Sequence, residues 1–206
     1  MSNIKNAFSK GKAFIPFITC GQISLDITEK TIYEMEKNGA NLIELGIPFS
    51  DPVAEGSIIQ SANNRALKNG TTTDKIFSML ESVRKNTDIP MVFMTYANIV
   101  FSYGIDRFAE KSKELKMDGI ILPDVPYEEK KEFDSIFKKY DIDFISLIAP
   151  TSEERISAIA KDSNGFIYCV SSLGVTGIRK NINTNIEKMV NLVKSVNNIP
   201  VAVGFG

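Results

Sequence analysis

The chain contains no histidine. That excludes Ser-His-Asp triads, Cys-His pairs and most zinc sites. Any proton transfer must come from Asp, Glu, Lys, Tyr or Cys. Cysteine is almost as scarce, with only Cys20 and Cys169. Both stand at or near the ends of apolar runs, and both are expected to be reduced and buried. There is no excess of either charge: 24 basic and 25 acidic residues leave a net charge of −1. A nucleic-acid binder would carry a basic surplus. No segment approaches the roughly 18 uninterrupted apolar residues of a membrane helix. The first twelve residues are polar and lack a signal-peptide core, so a cytoplasmic location is expected. Low-complexity stretches and linkers are missing as well, so residues 1–206 are read as one domain.

What the sequence does hold is ordinary globular composition, with 43% apolar and 24% charged residues. Seven short apolar runs read as strands: 13–19, 42–46, 91–96, 119–125, 144–150, 165–171 and 200–206. Several are almost continuously apolar, as strands buried on both faces of a parallel sheet are. Helical spacing separates them. Ile76, Met79, Leu80 and Val83 lie on one face, as do Ile105, Phe108, Ala109 and Ser112. Phe133, Ile136, Phe137 and Tyr140 repeat the pattern, and so do Ile186, Met189, Val190 and Val193. Segments 24–37 and 152–161 read as weaker helices, and 57–68 as an extra one.

Strand and helix therefore alternate, which predicts βαβ units and a parallel sheet. An open doubly wound sheet usually carries G-x-G-x-x-G after its first strand. Here the first strand runs into a single glycine, Gly21, and no Walker motif occurs. The pattern favours an α/β (β/α)₈ (TIM) barrel, incomplete, because the sequence stops after the seventh strand. Such barrels typically run to about 250 residues.

Parallel barrels bind ligands at the C-terminal ends of their strands. At the end of the second, Glu44 interrupts the apolar run Leu42-Ile43-Glu44-Leu45. A carboxylate there points into the interior, where desolvation raises its pKa and suits it to proton transfer. A pair with a buried Lys or Arg would give the same pattern. Asp51 and Glu55 follow in a loop stiffened by Pro48 and Pro52. They could complete an acid/base set, or Asp51 could simply make the turn before Pro52. Gly174 and Gly177 bracket Val175-Thr176 with Arg179 nearby, which suits either a phosphate loop or a plain tight loop. Gly204-Phe205-Gly206 ends the seventh strand. Tyr96 and Asn98 could bond a substrate or satisfy backbone groups. Asp124, between prolines, could face the site or cap the following helix. Phe17 and Ile18 offer an apolar wall. These residues suit a small phosphorylated substrate and carboxylate chemistry, with no metal.

Together these segments resemble the tryptophan synthase alpha subunit family. The most specific part runs Ile43-Glu44-Leu45-Gly46-Ile47-Pro48-Phe49-Ser50-Asp51-Pro52-Val53-Ala54-Glu55-Gly56. Ala13-Phe14-Ile15-Pro16-Phe17-Ile18-Thr19, Tyr96-Ala97-Asn98, Pro123-Asp124-Val125-Pro126, Gly174-Val175-Thr176-Gly177 and Gly204-Phe205-Gly206 match in order, so the resemblance spans the chain. It implies a (β/α)₈ barrel lyase of tryptophan biosynthesis. Such a lyase cleaves indole-3-glycerol phosphate to indole and glyceraldehyde 3-phosphate, without a cofactor, inside an α₂β₂ heterotetramer with the beta subunit.

By the same resemblance, Glu44 is the general acid/base, and Glu55 is the second carboxylate, which accepts the indole N–H. Glutamate stands there where the family usually has aspartate. Phe17 and Tyr168 would line the indole pocket, and the region 96–100 would face the beta subunit, with Tyr96, from its place at a strand end, also expected to touch substrate. Gly177 and Gly206 would bind phosphate, and Thr176 would belong to a mobile loop, 174–185. Asp51 and Asn98 would face the beta subunit. The early stop leads us to expect a truncated alpha subunit with weak or no activity. The competing expectations are a catalytically impaired fragment that only binds the beta subunit, and a different phosphate-binding barrel. The signature around Glu44 argues against the second of these.

Overall fold

The computed structural model describes residues 3–171 and 186–204. Among them, eight strand segments alternate with helices: β1 (Phe17–Thr19), β2 (Ile43–Gly46), β3 (Met91–Met94), β4 (Gly119–Ile121), β5 (Asp143–Phe144), β6 (Ser146–Ile148), β7 (Ile167–Val170) and β8 (Val201–Gly204). Every ladder is parallel, in the orders β1-β2-β3-β4-β5 and β6-β7-β8. Only Ile145 separates β5 from β6, and its N–H still donates to the Ile120 carbonyl. The two segments are one strand that passes its pairing from β4 to β7. The seven expected strands are therefore all present, with the fifth divided. Their order follows the chain and never reverses. Doubly wound sheets reverse at a switch point, whereas barrels do not. Among the described residues no ladder joins β8 to β1.

Several strands are shorter than the apolar runs predict. Pro16 has no N–H to give a ladder, and β1 begins just after it. Likewise β4 ends before Leu122-Pro123. The run 91–96 stops at Met94, because Tyr96 is already the N-cap of a helix.

The helices are α1 (Ile4–Ala7), α2 (Leu25–Lys37), α3 (Ser57–Lys68), α4 (Thr73–Val83), α5 (Ala97–Tyr103), α6 (Ile105–Glu114), α7 (Lys130–Phe137), α8 (Ile156–Lys161) and α9 (Ile186–Val196). Ser24 caps α2 by accepting from Ile27 N–H, and Thr72 caps α4 by accepting from Lys75 N–H. As expected, two helices, α3 and α4, fill the gap between β2 and β3. Two helices were not foreseen. One is α5. The other is α1, inside the N-terminal stretch that reads as polar. Its Ile4 and Ala7 are buried among Leu42, Val92, Ile121, Ile145 and Phe166. Among the described residues no helix is long and apolar enough to cross a membrane.

Strand alternation sorts the core into layers. Ile18, Ile43, Leu45, Met91, Phe93, Ile120 and Phe144 face outward and pack against helices. Ile148, Ile167 and Cys169 do the same against α8 and α9. The intervening residues face inward. Ile18 therefore belongs to the outer core, and the expected apolar wall of the site keeps only Phe17. Cys20 and Cys169 are both buried free thiols.

Candidate active site

All four residues of β2 are buried. Since Ile43 and Leu45 face the helices, Glu44 and Gly46 must face inward. Glu44 pairs in register with Phe17 on β1 and Val92 on β3. Its side chain is 4% exposed, and among the described residues no cation pairs with it. Burial without a counter-charge pushes its carboxyl up to about 8. At pH 7 roughly nine in ten molecules hold the proton. A carboxyl with a pKa raised in this way suits proton transfer near neutral pH.

Two more inward side chains surround it. The Phe17 ring lies over Gly46, where an added Cβ would stand 2.6 Å from the ring. Glycine at 46 is what leaves room for it. Tyr168, on β7, lies in register with Leu147 and Ala202. A Cβ on Gly204 would overlap its ring and hydroxyl, so Gly204 plays the same part for Tyr168. Burial raises the Tyr168 pKa, and the charge of Glu44 raises it further. Phe17, Glu44 and Tyr168 thus share one interior.

The sequence did not single out Thr19. It follows Phe17 by two residues and so shares its inward face, opposite Gly46. Its hydroxyl is buried with no hydrogen-bond partner among the described residues. That period of two was the available signal.

The loop after β2 carries Glu55, which is partly buried. Burial raises its pKa, while a hydrogen bond from the Tyr96 hydroxyl lowers it. Asn63 Nδ2 also donates to this carboxylate, at 3.3 Å. Gln60 Nε2 donates to the Glu55 carbonyl at 2.8 Å. Tyr96 is 3% exposed. Its hydroxyl oxygen accepts from Ala54 N–H at 3.2 Å, and its ring packs on Phe49 at 5.1 Å between centroids. The polar end of Tyr96 is thus spent on the loop that carries Glu55. The pKa of that hydroxyl is pushed up to about 12, mainly by burial.

Asp51 and Asn98 are exposed. So are Val53, Ile58 and Phe101, on the same loops and helices. Asp124 caps a helix, though not the following one. Its two carboxylate oxygens accept from Ala97 N–H, at 3.0 and 3.1 Å, at the start of α5. Gly174, Thr176, Gly177, Arg179 and Gly206, with the loop 174–185, lie outside the described residues. Among the described residues no three His, Cys, Asp or Glu side chains group as metal ligands would.

Parallel strands in chain order with helices outside, and a buried carboxyl that no cation pairs with among the described residues, define a (β/α)-barrel protein with an interior suited to acid–base chemistry. Comparison with known proteins makes the class specific. A family profile described as tryptophan synthase alpha chain matches residues 3–206. The tryptophan synthase alpha chain of Clostridium acetobutylicum is 47% identical over 199 residues, covering 97% of this chain and 76% of that one. That of Lacticaseibacillus casei is 45% identical over 206 residues, covering 100% and 77%.

Solved structures agree. Tryptophan synthase from Mycobacterium tuberculosis superposes with a TM-score of 0.91 at 31% identity, covering 100% of this chain and 80% of that one. An α₂β₂ tryptophan synthase complex from Pyrococcus furiosus gives 0.86 at 36% identity, covering 94% and 78%. The chain belongs to the tryptophan synthase alpha chain family, whose members are lyases of tryptophan biosynthesis.

Proposed function

We propose that this chain cleaves indole-3-glycerol phosphate to indole and glyceraldehyde 3-phosphate, with Glu44 as the acid and base. The observation that carries this reading is the burial of Glu44 inside the barrel, with no cation paired to it among the described residues; that burial raises its pKa. The neutral carboxyl gives its proton to C3 of the indole ring. The ring becomes an iminium, an electron sink next to the bond that must break. The Glu44 carboxylate then takes the proton of the adjacent glycerol hydroxyl. The carbon–carbon bond electrons flow into the ring, the hydroxyl carbon becomes the aldehyde, and Glu44 ends protonated as it began.

Glu55 accepts the indole N–H as positive charge grows on the ring nitrogen, which stabilises the iminium. It reaches one methylene further than the aspartate usual in the family. Tyr96 positions it through the hydroxyl bond. Phe17 and Tyr168 provide the apolar walls for the ring. Thr19, whose hydroxyl has no partner among the described residues, supplies a hydroxyl to the ligand. Thr176, Gly177 and Gly206 contact the phosphate end.

The exposed Val53, Ile58 and Phe101, with Asp51 and Asn98 beside them, form the docking face for a beta subunit. Apolar side chains in a polar rim suit a protein interface. The enzyme works in the cytoplasm. The names of the relatives favour this lyase over a chain that only binds a partner. An assay of indole release by wild type and Glu44→Gln tests the reading. A loss of about 10²-fold or more is expected, with thermal unfolding still cooperative. Undiminished release would refute it.

A further inference from the structure

A cavity of about 290 Å³ lies between the segment after β4 and the strand formed by β5 and β6, with Ala54 of the Glu55 loop at one side. Neither Glu44, Phe17 nor Tyr168 lines it. Its walls are largely apolar, with Val125, Phe144 and Ile148 among them. Two cations also line it, Lys130 and Arg155, and no described Asp or Glu does. Arg155 sits at the rim, half exposed and paired with Glu128 at 2.8 Å.

Lys130 is different. It is the first residue of α7 yet only 5% exposed. Its Nζ donates to Ser146 Oγ at 3.1 Å and to the Asp162 carbonyl at 2.9 Å. Both acceptors are neutral. An ammonium carries three N–H donors; beyond these two bonds Nζ meets the Phe144 ring, 5.8 Å from its centroid, and no third hydrogen-bond acceptor among the described residues. Burial lowers the Lys130 pKa, and the more distant charges of Asp134, Asp162 and Asp143 only partly oppose this. The start of α7 adds the positive end of a helix dipole. A buried ammonium without a carboxylate partner costs several kcal/mol. The corner therefore holds donors in excess: the spare N–H of Lys130 and the O–H of Ser146, which accepts from Lys130 and can still donate.

We propose that this cavity binds a small organic carboxylate, its apolar part against Phe144 and Ile148 and its oxygens on Lys130 Nζ and Ser146 Oγ. One buried ammonium matches a single negative charge. A phosphate dianion would call for more donors than the corner offers. The volume lies at the low end for ligand sites, about 300 Å³, which limits the occupant to a compact molecule. Leu147 and Val170 also line the cavity, so the occupant sits beside the catalytic interior.

Benzoate is a suitable probe, titrated into the intact chain by calorimetry and by NMR of ¹³Cε-labelled lysine. Saturable binding is expected, shifting one lysine resonance, which is missing in Lys130→Met. Loss of the charge-assisted bond should weaken benzoate about tenfold or more in Lys130→Met. Ser146→Ala should weaken it by a smaller factor, and Glu44→Gln should leave it unchanged. Benzamide, of the same shape without the charge, should bind about tenfold more weakly than benzoate. Absent binding, benzamide equal to benzoate, or equal affinity in Lys130→Met would each overturn the proposal. If Lys130→Met fails to fold, Ser146→Ala and the benzamide comparison still decide.

Discussion

The ring of Phe17 occupies the space that a side chain on Gly46 would need: an added Cβ would stand 2.6 Å from Phe17 Cζ. The two residues lie on adjacent strands, Phe17 beside Glu44 and Gly46 two residues beyond it. Gly46→Ala must therefore push the ring from the flank of the acid. Overpacking of this kind costs about 1–3 kcal/mol, so the denaturation midpoint should fall. The KM for indole-3-glycerol phosphate should rise with it. Unchanged midpoint and kinetics would mean that the ring moves freely.

Tyr96 joins Glu55 to the loop backbone through one hydroxyl. Tyr96→Phe removes the donor that lowers the Glu55 pKa, so that pKa should rise further. The acid limb of the kcat/KM profile should move to higher pH, with an activity loss of about tenfold from the missing bond. A merely structural role would lower Tm and leave the limb in place.

Glu44 links stability to pH. Folded, its carboxyl titrates near 8 rather than near the ordinary 4.5. Between those values the folded chain holds a proton that the unfolded chain has released. Stability must therefore fall as pH rises through that window, by up to several kcal/mol if the shift is fully expressed. Glu44→Gln removes the dependence. Its Tm relative to wild type should be higher at pH 8.5 than at pH 5. A difference independent of pH would count against a raised pKa.

Asp124 holds the first N–H of α5 with both carboxylate oxygens. Asp124→Ala should cost about 1 kcal/mol, the usual worth of an N-cap, seen as a lower urea midpoint. An unchanged midpoint would show that water replaces the carboxylate without loss.

Much of this was visible in the sequence because buried parallel strands write themselves as unbroken apolar runs. Glu44 stood out as a charge in the middle of such a run, and its inward direction followed from the period of two. Strand ends were less legible. Val92 to Val100 stays apolar enough to hide the change from β3 to α5, which is fixed by Tyr96 as N-cap and by Asp124, 27 residues away from Ala97. The short helix α1 escaped because only Ile4 and Ala7 of its residues are buried.

Lys130 stands in the charged run Glu128-Glu129-Lys130-Lys131-Glu132 and was not singled out. Yet it lies three residues before Phe133 and seven before Phe137, on the face that α7 buries. The spacing carried that signal, and the charge concealed it. The role of Tyr96 was hidden for another reason. Its partners, Ala54 and Glu55, come from a different loop, and no local pattern joins them.

The central claim is that Glu44 is a neutral acid at physiological pH. ¹³C NMR of the chain labelled at glutamate Cδ measures this directly. One carboxyl resonance should titrate near 8 and vanish in Glu44→Gln. If every glutamate resonance titrates at the ordinary value near 4.5, Glu44 is ionised at pH 7 and cannot be the proton donor.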